Sequence, residues 1–179
     1  LHSICYANIN QNSFNMTFKT LYEVVKHSVE KFSQRIAFTM IDTEDVTYKE
    51  VGERIEKVQN MLLNAGVGAG DKVAILSSSM PNWGVSYFAV TTAGMIAVPI
   101  LPDFTSDELD LIIAHSEAKA ILVSDKLYTK LSKETVEKFN IVIRTKGLNI
   151  ISQRVTERAE KRIPQPEDIA AIIYTSGTT

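Results

Sequence analysis

A chain of 179 residues that is 45% hydrophobic and 22% charged carries enough apolar material for one domain with a sizeable core, which excludes disorder as its main state. Its formal net charge of −2 gives no electrostatic footprint for nucleic acid. The single cysteine, Cys5, excludes an internal disulfide and fits a reducing cytoplasm.

Residues 1–14 are polar, rich in Asn and Gln, and lack the charged start and apolar middle of a signal peptide. Residues 1–16 therefore read as an irregular leader or an added tail, with Met16 a candidate natural start and the folded domain at 17–179. Asn15-Met16-Thr17 matches the N-glycosylation pattern, but with no secretion signal it reads as chance. Three capping-box pairs, Thr20/Glu23, Thr47/Glu50 and Thr105/Glu108, predict helix starts, because hydroxyl and carboxylate satisfy each other's free backbone N–H groups. After the first, Leu21, Val24, Val25, Val29 and Phe32 form an apolar stripe; after the second, Val51, Ile55, Val58, Leu62 and Ala65 form another, stopped by Gly66. Between these helices, apolar runs at 36–41 and 46–48 flank Asp42-Thr43-Glu44-Asp45, which predicts a hairpin and a sheet mixed at one edge.

The next runs are continuous rather than alternating: 73–76, 96–98, 120–123, 141–143 and 169–174. Such runs indicate strands buried on both faces. Helices are expected between them at 81–93, 106–116 and 126–139, which gives an α/β fold with a doubly wound, mostly parallel sheet. Residues 153–165, charged and ending in two prolines, read as a surface helix and linker. The uncharged stretch 73–102, largely apolar over 83–101, is long enough to span a bilayer, but Gly94 and Pro99 interrupt it and no Lys or Arg closely flanks the apolar part. Buried helix followed by buried strand is the better reading, with no transmembrane segment. The helix at 81–93 is apolar nearly all round, which predicts an uncovered apolar surface and a homo-oligomer.

Several residues invite chemistry and are explained without it. Gly66-Val67-Gly68-Ala69-Gly70 follows a helix and precedes a strand, the reverse of the dinucleotide-binding order. Asp107, Glu108 and Asp110 lie at a helix start, where negative charge stabilises the dipole by ~0.3–1 kcal/mol each. His27 and His115 have no companion at metal-ligand spacing, so no metal site is expected; His27 is placed on the polar face of the first helix. Tyr174-Thr175-Ser176-Gly177-Thr178-Thr179 is different. A hydroxyl-rich loop with a glycine, directly after a buried strand, offers backbone N–H groups and hydroxyls to an anion. It lacks the lysine-containing pattern of the ordinary P-loop.

The segment from Glu167 through Ile169-Ala170-Ala171-Ile172-Ile173-Tyr174 to Thr179 resembles the first half of the AMP-binding signature of adenylate-forming enzymes. Val73-Ala74-Ile75-Leu76, Pro81-Asn82-Trp83, Ala93-Gly94, Val98-Pro99, His115-Ser116-Glu117-Ala118-Lys119-Ala120 and Thr47-Tyr48-Lys49-Glu50-Val51 are similar to that family's upstream blocks, in the right order. The resemblance implies that Thr175, Ser176, Gly177, Thr178 and Thr179 hold the β- and γ-phosphates of ATP. It further implies an N-terminal piece of a carboxylate–CoA ligase using ATP, Mg²⁺ and CoA, with a fatty acid as substrate. No complete catalytic set is expected within these 179 residues, and they are expected to be inactive alone. An amino-acid-activating adenylation domain of a peptide synthetase, and a non-catalytic module, stand as alternatives.

Overall fold

The computed structural model describes residues 17–40 and 45–175. In chain order it holds α1 (Leu21–Lys31), β1 (Ile36–Phe38), β2 (Val46–Thr47), α2 (Tyr48–Asn64), β3 (Lys72–Leu76), α3 (Pro81–Thr91) and β4 (Ile96–Pro99). There follow α4 (Ser106–Ser116), β5 (Ala120–Val123), α5 (Asp125–Tyr128), α6 (Lys133–Lys138), β6 (Ile141–Arg144) and β7 (Asn149–Gln153).

Five strands form one sheet in the order β4-β3-β5-β6-β7. The first four are parallel, and β7 pairs antiparallel with β6. Alternate residues of the parallel strands enter two separate cores. Val73, Ile75, Ala97, Leu122 and Ile143 pack under α2 and α3, while Ala74, Leu76, Val98, Ile121 and Val142 meet Leu109 and Ile113 of α4. Burial on both faces is why these strands are apolar at every position. None of the described helices is long and apolar enough to cross a membrane, and the stretch 73–102 is strand, helix and strand.

The capping signals act at the expected places. Thr47 and Thr105 each accept from the backbone N–H of the glutamate three residues on, and that glutamate accepts from the backbone N–H of its threonine at 2.7 Å. The threonine backbone N–H, joined by the hydroxyl, holds the Glu50 and Glu108 carboxyls below the usual carboxylate range. At α1 the box is half made: Thr20 accepts from Glu23 N–H, but Glu23 accepts from Lys19 N–H instead of Thr20. No residue of α1 is fully buried; its stripe meets α2 through Val29, which fills the space left by Gly52.

Five expectations are corrected. The hairpin strands β1 and β2 form their own two-stranded sheet, and the antiparallel edge of the main sheet is β7. β7 has an exposed sequence and carries no apolar run; the turn before it, with Leu148 at φ 47° and buried, returns the chain against β6. The helix expected at 126–139 is two short helices, because Ser132 caps a new start by accepting from Thr135 N–H. Residues 154–165 are extended rather than helical. Their backbone lies against glycines: a Cβ on Gly66 would sit 3.0 Å from the Glu157 carbonyl oxygen, and one on Gly68 2.9 Å from Ala159 Cβ. Ala159 N–H donates to the Leu63 carbonyl at 2.8 Å, so the crossing is fixed by backbone bonding that charge patterning does not reveal. The strand expected at 169–174 is reduced to one parallel bridge, Ala97 to Ala171. Finally, Asp110 does more than cap a helix, accepting from Thr135 Oγ1 at 2.5 Å and from Ser132 Oγ.

α3 is apolar on most sides, yet its polar residues are among those buried. Ser86 and Thr91 donate back to the carbonyls of Asn82 and Tyr87, which lets both hydroxyls enter the core. Trp83 and Tyr87 stack with ring centroids 5.6 Å apart and are half-buried.

Candidate phosphate-binding edge

Because the bridge to Ala171 is parallel, residues 172–175 run toward the carboxyl ends of the sheet strands. In open α/β sheets that edge is where ligands bind. The placement rests on two backbone bonds: Ala97 N–H to the Ala170 carbonyl and Ile172 N–H to the Ala97 carbonyl, both 2.9 Å. Side chains then alternate. Ala171 packs on the α2/α3 core, while Ile172 and Tyr174 pack on the α4 core. Thr175 follows, exposed at the edge. Ser176, Gly177, Thr178 and Thr179 lie outside the described residues, so of the five candidate phosphate ligands the structure places Thr175.

His115 is not a solitary surface histidine. Its Nδ1 lies 2.7 Å from the Tyr174 hydroxyl, with donor and acceptor set by the ring tautomer, and the two rings meet edge to face at 5.7 Å. Fifty-nine residues separate them, and nothing in the local pattern of either could have paired them. His27 also differs from its expected place: it is half-buried, with Phe18 and Phe32 ring centroids at 5.3 and 6.2 Å. Among the described residues no cluster of three His, Cys, Asp or Glu side chains is arranged to hold a metal. The glycine-rich 66–70 segment is an αβ connection, with Gly66 and Gly70 at φ 70° and 81°.

The same carboxyl edge is knitted together elsewhere by polar groups. Ser77, just after β3, and Thr145, just after β6, place their hydroxyls 3.1 Å apart in a buried contact. Asn82 donates to the Thr145 and Lys146 carbonyls and accepts from Arg54 at 3.1 Å. Asp168 precedes the parallel bridge and so lies toward the amino ends of the strands, where the Gln165 backbone N–H and then Arg162 hold it below the usual carboxylate range. These groups position backbone, and none is arranged as an acid–base pair. Of the candidate anion donors, Thr175 stands at the carboxyl edge among the described residues.

The sequence pattern of the AMP-binding enzyme family matches residues 25–179. The chain belongs to that family. Among its relatives are tyrocidine synthase 3 of Brevibacillus parabrevis, 31% identical over 91% of this chain and 2% of that protein, and long chain acyl-CoA synthetase 4 of Arabidopsis thaliana, 31% identical over 74% of this chain and 23% of that protein. A solved long-chain-fatty-acid-CoA ligase from Archaeoglobus fulgidus superposes with a TM-score of 0.69 at 26% identity, over 89% of this chain and 35% of that one. This family member thus spans less than a quarter of the length of either curated relative named. The family match accounts for the order of its blocks: the segment against β4, the loop it leads into and the helix entry at Thr47 all lie within the matched span.

Proposed function

We propose that this chain supplies the ATP phosphate-binding portion of an enzyme that activates a carboxylate as its acyl-adenylate and passes the acyl group to the thiol of CoA. In the first step a carboxylate oxygen attacks the α-phosphorus of ATP, the bond to the bridging oxygen breaks, and pyrophosphate leaves with its electron pair. In the second, the thiol sulfur attacks the acyl carbon and AMP departs, the thiol proton going to solvent or a base. Thr175, Ser176, Gly177, Thr178 and Thr179 are assigned to the β- and γ-phosphates, where hydroxyl and backbone donors offset charge on the leaving group. The observation that carries the reading is the direction of residues 172–175, toward the strand carboxyl ends and into the hydroxyl loop. Mg²⁺ enters with ATP as its counter-ion; the described residues do not form a metal cluster, and no ligand is assigned to it.

A fatty acid is the proposed carboxylate and the reducing cytoplasm the proposed location. The 31% identity to tyrocidine synthase 3 over 91% of the chain favours a second reading, in which the carboxylate is an amino acid. ATP–pyrophosphate exchange by the full-length protein, run against fatty acids and amino acids, distinguishes them. Exchange with fatty acids followed by thioester formation on CoA is expected. Exchange with amino acids alone would transfer the assignment to the second reading, and no exchange with any carboxylate would end both.

A further inference from the structure

Residues 170–175 are held to the sheet lightly for a segment that aims a binding loop. Beyond Ile172 N–H, the described residues show no backbone hydrogen bond from this segment to the sheet. The next attachment is the side chain of Tyr174. Its ring lies on the α4 core and its hydroxyl meets His115 in the last turn of α4. That helix is rigidly bounded: the Thr105/Glu108 box closes its start, and Glu117 in the left-handed conformation, φ 53°, closes its end. α4 is also tied to the helix beyond β5 through Asp110, which accepts from Ser132 and Thr135. Tyr174 therefore connects the residue before Thr175 to a fixed element on one face of the sheet, while the Ala97 bridge fixes the strand direction.

We infer that His115 is a positioning residue for ATP binding: it holds the Tyr174 hydroxyl, and through Tyr174 it sets where the phosphate loop leaves the sheet. The inference rests on the ATP reading above. His115 touches no phosphate in this scheme. Its contribution is preorganisation, since a loop already aimed at the phosphates loses less freedom on binding them. An ordinary surface hydrogen bond would show none of this dependence. Here the polar contact coincides with an edge-to-face ring contact at 88°, so imidazole and phenol are fixed in orientation as well as distance.

The test uses the full-length protein and four variants: His115→Ala, His115→Asn, Tyr174→Phe and the double variant His115→Ala/Tyr174→Phe. His115→Asn keeps an amide nitrogen close to the place of Nδ1, and Tyr174→Phe keeps the ring while removing the hydroxyl. In pyrophosphate exchange, His115→Ala and Tyr174→Phe should each raise KM for ATP about three- to ten-fold, the loss of one net hydrogen bond, with kcat changed less. The double variant should lose no more than either alone, because both remove one interaction. His115→Asn should recover most of the affinity. Amide hydrogen exchange at Tyr174 and Thr175 should quicken in His115→Ala and Tyr174→Phe and slow again in His115→Asn. Wild-type activity with an unchanged KM in His115→Ala, or additive losses in the double variant, would overturn the inference and leave the ATP reading intact. No exchange with any carboxylate in the wild type would overturn the ATP reading, and this inference with it.

Discussion

The two edges of the sheet end in different ways. At one, β7 turns back on β6 as an antiparallel strand whose residues are mostly exposed and polar enough to face water. At the other, beyond β4, the chain makes a single bridge at Ala171 and leaves apolar side chains in solvent: Ile169 is 61% exposed and Ile173 72%. These two flank Ala171 on the side of the strand that faces the α2/α3 core, while Ile172 and Tyr174 on the opposite side are covered by the α4 core. The comparison teaches that strand sequence records burial, and that burial has to come from somewhere. β7 is written for an edge. The 169–174 segment is written for an interior, and among the described residues one of its faces is covered while the other is covered only at Ala171.

The largest effect that separates centre from edge is a cavity. Ile75 sits in β3 between β4 and β5 with no exposed surface. Ile75→Ala should cost about 2–5 kcal/mol in urea unfolding, because the neighbouring strands cannot collapse into the space. Ile173→Ser, at the open edge, should stay within about 0.5 kcal/mol of wild type. Comparable losses at both sites would mean that the edge is covered in solution.

Next comes the loop that this edge leads into. Thr178→Val in the full-length protein removes one hydroxyl donor from the phosphates. A charge-assisted hydrogen bond of about 1.5–3 kcal/mol corresponds to roughly ten- to a hundred-fold slower adenylation. The thioester step, started from supplied acyl-adenylate, should change far less. Equal losses in both steps would show a folding defect and remove the assignment of Thr178.

How much of this was legible before the structure follows the same division. Where a residue's role is set by its near neighbours, the sequence was enough: the boxes at Thr47 and Thr105, the bounds of α4, and the two-sided burial of 73–76 and 120–123 all stand. Where the role is set by a distant segment, it was not. β7 has no apolar run because an edge strand needs none, and 154–165 looked helical because its charges pattern well while its extended form is fixed by Gly66, Gly68 and the Leu63 carbonyl. His115 is exposed, and its contact with Tyr174 could not be foreseen because that partner lies on a segment 59 residues away. Of the candidate site, the hydroxyl run at 175–179 is an expectation from sequence, and the contact of Tyr174 with His115 beside it could not be read from either local pattern.

The open edge also predicts association. Exposed Ile169 and Ile173, beside backbone groups that make no hydrogen bond among the described residues, favour pairing with another surface. The 179-residue chain is expected to show concentration-dependent dimers or larger species in light scattering after size exclusion, together with binding of a hydrophobic dye. Ile169→Ser/Ile173→Lys should shift the distribution toward monomer. A monomer at every concentration, with no dye bound, would show that this edge closes on itself.

The smallest expected effect concerns the tie just before the bridge. Asp168 accepts from the Gln165 backbone N–H at 2.7 Å and pairs with Arg162 at 2.8 Å, and both hold its carboxyl below the usual carboxylate range, the backbone donor first. A carboxyl whose pKa is depressed on folding binds its proton less readily in the native state than in the unfolded one. Its contribution to stability is therefore fully present above the unfolded value of about 3.9 and is lost as pH falls through the lower native value. Asp168 is half-buried and Arg162 is exposed, so solvent and salt still screen the ion pair and keep its contribution modest. Asp168→Asn should lower the urea midpoint slightly at pH 7 and by the same amount at pH 5. As pH falls below about 4 the gap between variant and wild type should narrow, and it should close only once pH has passed the lower native value, where the wild-type carboxyl is also neutral. Salt at pH 7 should narrow the gap only partly, because the bond from Gln165 does not depend on Arg162. A gap that persists unchanged at the lowest pH would show that Asp168 acts through its shape and not its charge, and the tie at this edge would then be a packing contact.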